Sequence, residues 1–376
     1  HIAMALGAIF LSILLVPIPD REDDFSHVLY DRNGVLLSAT IATDEQWRFP
    51  LEETLPVQLK ECILLFEDEY FLYHPGVNPI SILKAFWANA KKGKIVRGGS
   101  TISMQVMRMA RGNRSRTIYQ KAIECLGAFK LELFYSKNEI LEMWAAMAPM
   151  GGNTVGVSTA AWRYFQRDLD NLSNAEYATL AVLPNSPSQV HLGKNPGKLK
   201  ARRDFLLTKL FRHHKLDSLE WQLSLEEPIP TEQFNIPFDA YHFLEFNKSQ
   251  YQDRHIFQST IDANLQSVVQ SHVDAISVVY QADGIQNAAA VVIDNQTNEI
   301  VAYVGNSKDH KNLSRYVDCA RAPRSYGSLL KPILYAYALD EGYFMPHEMV
   351  KDIPTHISGF SPRNYDKRFR GEAPLD

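Results

Sequence analysis

Apolar positions change their period along this chain. From His27 to Phe49 they alternate with polar positions around Asp31-Arg32-Asn33-Gly34, and Asn-Gly between alternating segments predicts a two-stranded hairpin. From Pro56 the period becomes helical, with Leu59, Ile63 and Phe66 on one face. Helical patterns recur over residues 79–90, 101–110, 117–135, 136–147, 159–169, 173–183 and 199–211. Ser136-Lys137-Asn138-Glu139 has the spacing of a capping box, which restarts a helix there.

The texture shifts after Leu216. Glu226-Glu227-Pro228-Ile229-Pro230 and Ile236-Pro237 read as part of a connector over residues 216–256. Phe257 to Ile261 and Ala288 to Ile293 then read as strands. Asn295-Gln296-Thr297-Asn298 reads as a turn, Glu299 to Val304 as a returning strand, and Tyr326 to Leu339 as a helix. The pattern predicts a mainly α domain over residues 27–215 and the opening of an α/β domain over residues 257–376.

Ahead of both, Ile2 to Val16 is apolar except for Ser12. Crossing a bilayer takes roughly 20 such residues, so the run is read as a transmembrane anchor over residues 1–19, truncated at its start. The acidic Asp20-Arg21-Glu22-Asp23-Asp24 that follows suits the outer side of a membrane.

At 376 residues and net charge −4, the chain has room for two or three domains and no bulk charge for binding polyanions, so no nucleic-acid partner is expected. The local balance differs. Between Lys84 and Lys137 the only acids are Glu124 and Glu132, against Lys84, Lys91, Lys92, Lys94, Arg97, Arg108, Arg111, Arg114, Arg116, Lys121, Lys130 and Lys137. Such a face is either simply solvated or gathers an anionic ligand. Cys62, Cys125 and Cys319 are too scattered for a disulfide framework or a zinc site.

Two stretches carry candidate chemistry. Glu67-Asp68 ends a helical pattern beside Phe66, Tyr70, Phe71 and Tyr73, where apolar surroundings disfavour a charged carboxylate and make it a better proton acceptor. Gly98-Gly99-Ser100-Thr101 opens the next helix, and helix N-termini bind anions through free N–H groups. Lys121 and Glu124 lie three apart on one helix face. Each feature also has an ordinary structural reading: a solvated helix end, a capped turn, a surface ion pair.

Taken in order, these residues resemble the motifs of the family-51 peptidoglycan glycosyltransferases, found in bifunctional class A penicillin-binding proteins. Glu-Asp-x-x-Phe-x-x-His-x-Gly stands as Glu67, Asp68, Phe71, His74 and Gly76. The second motif is Gly98 to Gln105, with Met104 for the usual first Gln. The third is Gln120-Lys121-Ala122-Ile123-Glu124, with Gln for Arg. The fourth starts at Lys137, but Trp144-Ala145-Ala146 stands where Tyr-Leu-Asn is usual. The fifth includes Arg202-Arg203-Asp204.

The resemblance implies a lysozyme-like glycosyltransferase fold acting on lipid II and a growing glycan chain. Glu67 and Glu124 would be catalytic. Asp68, His74, Gly98, Gly99, Ser100, Thr101, Gln105, Arg108, Lys121, Lys137 and Arg202 would bind substrate. No cofactor is certain from the residues; a divalent cation, Mg or Mn, could bridge the diphosphate at Glu124. The resemblance also implies contact with membrane lipids and with other cell-wall synthesis proteins, and a single-pass location in the bacterial cytoplasmic membrane with the catalytic domain outside.

Further on, Ser259 to Gln266 resembles the entry to a penicillin-binding transpeptidase domain, and Ser328-Leu329-Leu330-Lys331 carries Ser-x-x-Lys. Ser328 would be the nucleophile and Lys331 its base. The Ser-x-Asn and Lys-Thr-Gly of that family do not follow Lys331, so this module is expected to be partial and inactive in acyl transfer. Two other functions stay open. A lysozyme-like lytic enzyme also uses a helix-end Glu, and a non-catalytic membrane-anchored scaffold would tolerate the altered fourth motif.

Overall fold

A computed structural model describes residues 16–17, 25–51, 54–92, 98–113, 117–184, 195–308 and 314–374. The predicted hairpin forms from β1 (Val28–Tyr30) and β2 (Leu36–Ala39), with Gly34 at φ +84° in its turn. Buried Asp31 holds the turn by accepting the Asn33 and Val35 N–H groups at 2.7 and 2.8 Å. β3 (Trp47–Arg48) follows.

Five helices then build the first half of the helical domain: α1 (Val57–Glu67), α2 (Pro79–Lys92), α3 (Ile102–Ala110), α4 (Ile118–Phe134) and α5 (Lys137–Met147). The capping box before α5 is present, with Glu139 N–H on Ser136 Oγ and Ser136 N–H on Glu139 Oε2. β4 (Pro149–Gly151) and β5 (Thr154–Val155) join β3 in a small sheet of order β3-β5-β4, which the pattern did not predict. Its strands are two or three residues long, too short to show a period of two.

Helices α6 (Val157–Phe165), α7 (Asn174–Val182) and α8 (Pro196–Arg212) complete the bundle. Every residue from Tyr177 to Val182 is buried, so α7 is the central helix. Its small Ala175, Ala178 and Ala181 leave room for α1 and α8 to pack on it. Around it Leu59, Ile63, Phe71, Ile102, Met107, Leu131, Ile140 and Trp144 form one core.

Residues 216–256, expected as a connector, hold two helices, α9 (Ser218–Glu226) and α10 (Tyr241–Gln250). β6 (Ile256–Gln258) runs parallel to β1, with Val28 opposite Ile256, in a sheet of order β2-β1-β6. The hairpin at the start of the chain thus shares its sheet with a strand more than two hundred positions later. Leu29, Leu37, Leu244, Phe257, Ile261 and Tyr303 make a second core beneath that sheet. Next comes α11 (Ala263–Tyr280), which the sequence pattern did not predict, and then an antiparallel hairpin of β7 (Ala290–Ile293) and β8 (Ile300–Val304), which it did. The Gln266 amide bonds both the N–H and the C=O of Tyr303, at 2.7 and 3.0 Å, and so ties α11 to β8.

The chain divides into two compact units, His1–Ala320 and Arg321–Asp376. The second holds α12 (Lys331–Asp340) and an antiparallel pair, β9 (Met349–Asp352) and β10 (Gly371–Pro374). Among its described residues only Ala338 is buried. The predicted anchor, residues 1–19, lies outside the described residues apart from Val16 and Pro17. Among the described residues no helix is long and apolar enough to cross a membrane.

Candidate active site

Glu67 is the last residue of α1, and the chain turns sharply after it: Asp68 has φ −157° and ψ 83°. This break aims the two neighbouring carboxylates apart. Asp68 is buried and reaches inward, where its Oδ2 stands 3.0 Å from His74 Nε2 and accepts the backbone N–H of Ile102 at 3.2 Å. It therefore joins the first stretch to the N-terminus of α3. Thr101 caps that helix by accepting Met104 N–H at 3.3 Å, and its hydroxyl donates to the Gly76 carbonyl.

Two glycines explain themselves by contact. Gly76 sits at φ +87°, and a Cβ there would meet the Ala128 carbonyl oxygen of α4 at 2.6 Å. A Cβ on Gly99 would meet Ile82 Cα of α2 at 3.0 Å. Gly98 has open space where its Cβ would be.

Glu67 itself is half-buried. Its Oε2 accepts the Gln105 side-chain N–H at 2.7 Å, while its Oε1 is covered and has no hydrogen-bond partner. Burial pushes this carboxyl above the ordinary glutamate range. The Gln105 bond and the charge of Arg108 oppose the rise, the charge of Asp68 adds to it, and Arg202 opposes it. Gln105, Arg108 and Arg202, named from sequence as ligand contacts, are thus all gathered around Glu67.

A second cluster surrounds α4. Lys121 Nζ donates to Ser100 Oγ at 2.5 Å and to Glu124 Oε2 at 2.9 Å. Glu124 is buried and Lys121 is 42% exposed, so the cation faces outward over the Gly98–Thr101 turn. Among the described residues no group of three or more His, Cys, Asp or Glu side chains has metal-binding proximity. Glu124 offers one carboxylate, already facing an ammonium.

Lys137 stands differently from its neighbours. Its ammonium donates to the His74 carbonyl at 2.7 Å, pairs with Glu132 at 2.7–2.8 Å, and lies 4.3 Å from the centre of the Phe71 ring. Glu132 in turn accepts Ser103 Oγ at 2.6 Å. Lys137 and Glu132 therefore brace the Phe71–Gly76 loop against α3. The sequence reading missed Glu132, whose only signal was its place as one of two acids in a basic stretch. It also missed Glu69, which pairs with Lys209 of α8 at 2.7 Å while Lys209 bonds the Leu65 carbonyl. That brace joins the end of α1 to α8.

Trp144 was noted only as a departure from the fourth motif. It is fully buried, and its Nε1–H donates to Gln105 Oε1 at 3.1 Å. In the second unit, Ser328 lies in a 3₁₀ turn (Gly327–Leu330), Lys331 begins α12, and both are exposed.

Comparison with known proteins follows this geometry. Residues 33–211 match the Transglycosylase family and residues 288–376 match the penicillin binding protein transpeptidase domain. The chain is 32% identical over 361 residues to penicillin-binding protein 1C of Escherichia coli (strain K12), covering 95% of this chain and 46% of that one. It is 27% identical over 365 residues to penicillin-binding protein 1F of Bacillus subtilis (strain 168), covering 93% and 50%. With penicillin-binding protein 1B of Vibrio cholerae, identity is 28% over 356 residues, covering 88% and 45%. The chain spans about half the length of these relatives. Over residues 33–211 this chain belongs to the transglycosylase family, and over residues 288–376 to the transpeptidase-domain family of the penicillin-binding proteins.

Proposed function

We propose that this protein is a peptidoglycan glycosyltransferase that polymerises lipid II into glycan chains and releases polyprenyl diphosphate. The observation that carries this reading is Glu67: a carboxylate raised by burial, with one oxygen held by Gln105 and the other covered and unpartnered. Such a group is a better proton acceptor than an ordinary carboxylate. Glu67 would take the proton of the acceptor sugar's 4-hydroxyl as the hydroxyl oxygen bonds to the anomeric carbon of the donor. The anomeric C–O bond to the diphosphate breaks, and the diphosphate leaves with the electron pair.

A departing diphosphate needs positive charge and N–H groups. Lys121, Arg108, Arg202 and the turn at Gly98–Thr101 supply them in this reading. If a divalent cation, Mg or Mn, takes part, Glu124 is the side chain that would hold it, and the ion would add positive charge to stabilise the leaving diphosphate. Lys137, Asp68 and His74 would shape the site from below.

The substrate's lipid tail calls for a membrane-facing surface. Leu72, Tyr73, Ile80, Leu83 and Trp87 are all more than half exposed on the Phe71–Tyr73 turn and α2, beside Lys84 and Lys91. Aromatic and aliphatic side chains interleaved with lysines suit a bilayer interface. In this reading the protein sits at the outer side of the bacterial cytoplasmic membrane, tethered by residues 1–19 and placed among other cell-wall synthesis proteins.

Polymerisation of purified lipid II in detergent, with and without Mg or Mn, tests the reading. Elongated glycan products support it. Cleavage of preformed glycan without polymerisation would favour a lytic enzyme, and no turnover of either substrate would favour a scaffold.

A further inference from the structure

Three helices meet in one hydrogen-bonded line. Trp144 on α5 donates its indole N–H to Gln105 Oε1 on α3, at 3.1 Å. Gln105 Nε2 donates to Glu67 Oε2 at the end of α1, at 2.7 Å. An amide side chain can turn end for end with little change in shape, so its direction depends on its partners. The indole settles that direction because it can only donate. With Trp144 fully buried, Gln105 must turn its oxygen to the indole, and its NH₂ group then faces the carboxylate.

We infer that Trp144 is a positioning residue for the general base: by holding the Gln105 amide in one orientation, it keeps an N–H on Glu67 Oε2 and so fixes the carboxylate that takes the acceptor's proton. The inference rests on the glycosyltransferase reading of Glu67. A phenol at this place could donate or accept, and would leave the direction of the amide to Glu67 alone, whose protonated form could donate to a turned amide. The Trp at position 144 therefore acts as a one-way lock.

The consequence is electrostatic. The charged groups acting on Glu67 are Arg108 from α3, Arg202 from α8 and the adjacent Asp68, and burial works against its charge. The Gln105 N–H favours the ionised form. If the amide turned, its oxygen would face the carboxylate and disfavour the same charge. Losing the lock should then cost activity mostly at the acidic end of the pH range.

The test uses the whole chain with two substitutions, Trp144→Phe and Gln105→Leu. Lipid II polymerisation is followed from pH 5 to 9 with kcat and KM separated. In parallel, the ¹³C carboxyl resonance of Glu67 is titrated, assigned by its loss in Glu67→Gln. In both variants kcat should fall about tenfold with KM little changed, and the acidic limb and the carboxyl midpoint should both move up by about one pH unit. Gln105→Leu leaves Trp144 and the core in place and gives the size of the amide's effect, and Trp144→Tyr, whose hydroxyl can accept as well as donate, carries the test if Trp144→Phe fails to fold. An unmoved Glu67 midpoint in a folded variant overturns the inference. If the unsubstituted chain polymerises nothing, the glycosyltransferase reading fails, while the carboxyl titration still decides whether Trp144 sets the state of Glu67.

Discussion

Asp68 and His74 face each other across the first turn of the site, Oδ2 to Nε2 at 3.0 Å, with both side chains buried. The same oxygen accepts the N–H of Ile102. One carboxylate thus fixes the loop after α1 to the start of α3, which sets the distance between Glu67 and the Gly98–Thr101 turn. His74 Nδ1 is covered and lacks a hydrogen-bond partner, so Nε2 is that ring's one anchor among the described residues.

Asp68→Ala should therefore act through the fold. It strands the His74 ring nitrogen and the Ile102 N–H in a buried place. A loss of about 2–3 kcal/mol is expected, since each unsatisfied buried group costs about 1–3 kcal/mol. Urea unfolding monitored by circular dichroism checks this. A midpoint equal to that of the unsubstituted protein would show that the contact holds nothing.

Glu67→Gln should abolish polymerisation while keeping the fold, because it removes the proton acceptor at nearly constant volume. A general base contributes about 10²–10⁴ in rate. Near-normal turnover on lipid II would remove Glu67 from that role.

The same substitution carries a stability signature. Burial raises the folded-state pKa of Glu67 above its unfolded value. Such a group adds stability in acid and loses it as pH climbs through the folded pKa. Glu67→Gln should thus melt higher than the unsubstituted protein at pH 8, with the difference shrinking toward pH 4. Scanning calorimetry at both pH values reads it. A variant that melts lower than the unsubstituted protein at pH 8 would mean that Glu67 is stabilised as an anion, the opposite of what its burial dictates.

Lys121→Ala and Glu124→Gln should each lower turnover strongly, since Lys121 links Ser100 to Glu124 at the turn proposed to hold the diphosphate. Unchanged rates in both would reduce the pair to a surface ion pair worth less than about 1 kcal/mol.

Removing residues 1–19 should leave a protein that still binds vesicles through α2 and the Phe71–Tyr73 turn. Adding Leu83→Glu and Trp87→Glu should release it, because charging an interfacial apolar surface removes its reason to leave water. Co-sedimentation with vesicles of anionic and neutral lipid measures both. Full release by the truncation alone would assign all membrane affinity to the first segment.

Labelled β-lactam should form no stable acyl-enzyme with residues 1–376. Ser328 and Lys331 are exposed, and among the described residues of their own unit Leu329, Ile333 and Leu334 are exposed beside them, a surface that leaves an acyl group open to hydrolysis. Stoichiometric labelling at Ser328 would contradict this.

Local features were legible in the chain because their causes are local. The Asn33-Gly34 turn, the Ser136/Glu139 cap and the period of α1 each depend on residues within a few positions of one another. The five ordered motifs likewise brought Glu67, Gln105, Lys121, Glu124 and Arg202 to notice before any fold was known. By itself, then, the sequence determined the first hairpin, most helices of the first domain and which side chains could carry the chemistry, whereas the helices at Ser218–Glu226, Tyr241–Gln250 and Ala263–Tyr280 gave no pattern strong enough to read. The tertiary structure decided how those side chains are used. Trp144 reads as a lost motif until packing of α5 on α3 places its N–H on Gln105, and the bracing of Lys137 by Glu132 and the His74 carbonyl appears only once the fold brings them together. The pairing of β1 with β6 also lies beyond any local signal, since strand partners more than two hundred positions apart are chosen by the whole core that they cover. A hydrogen bond's direction and a strand's partner are properties of surroundings, and surroundings exist only once the chain has folded.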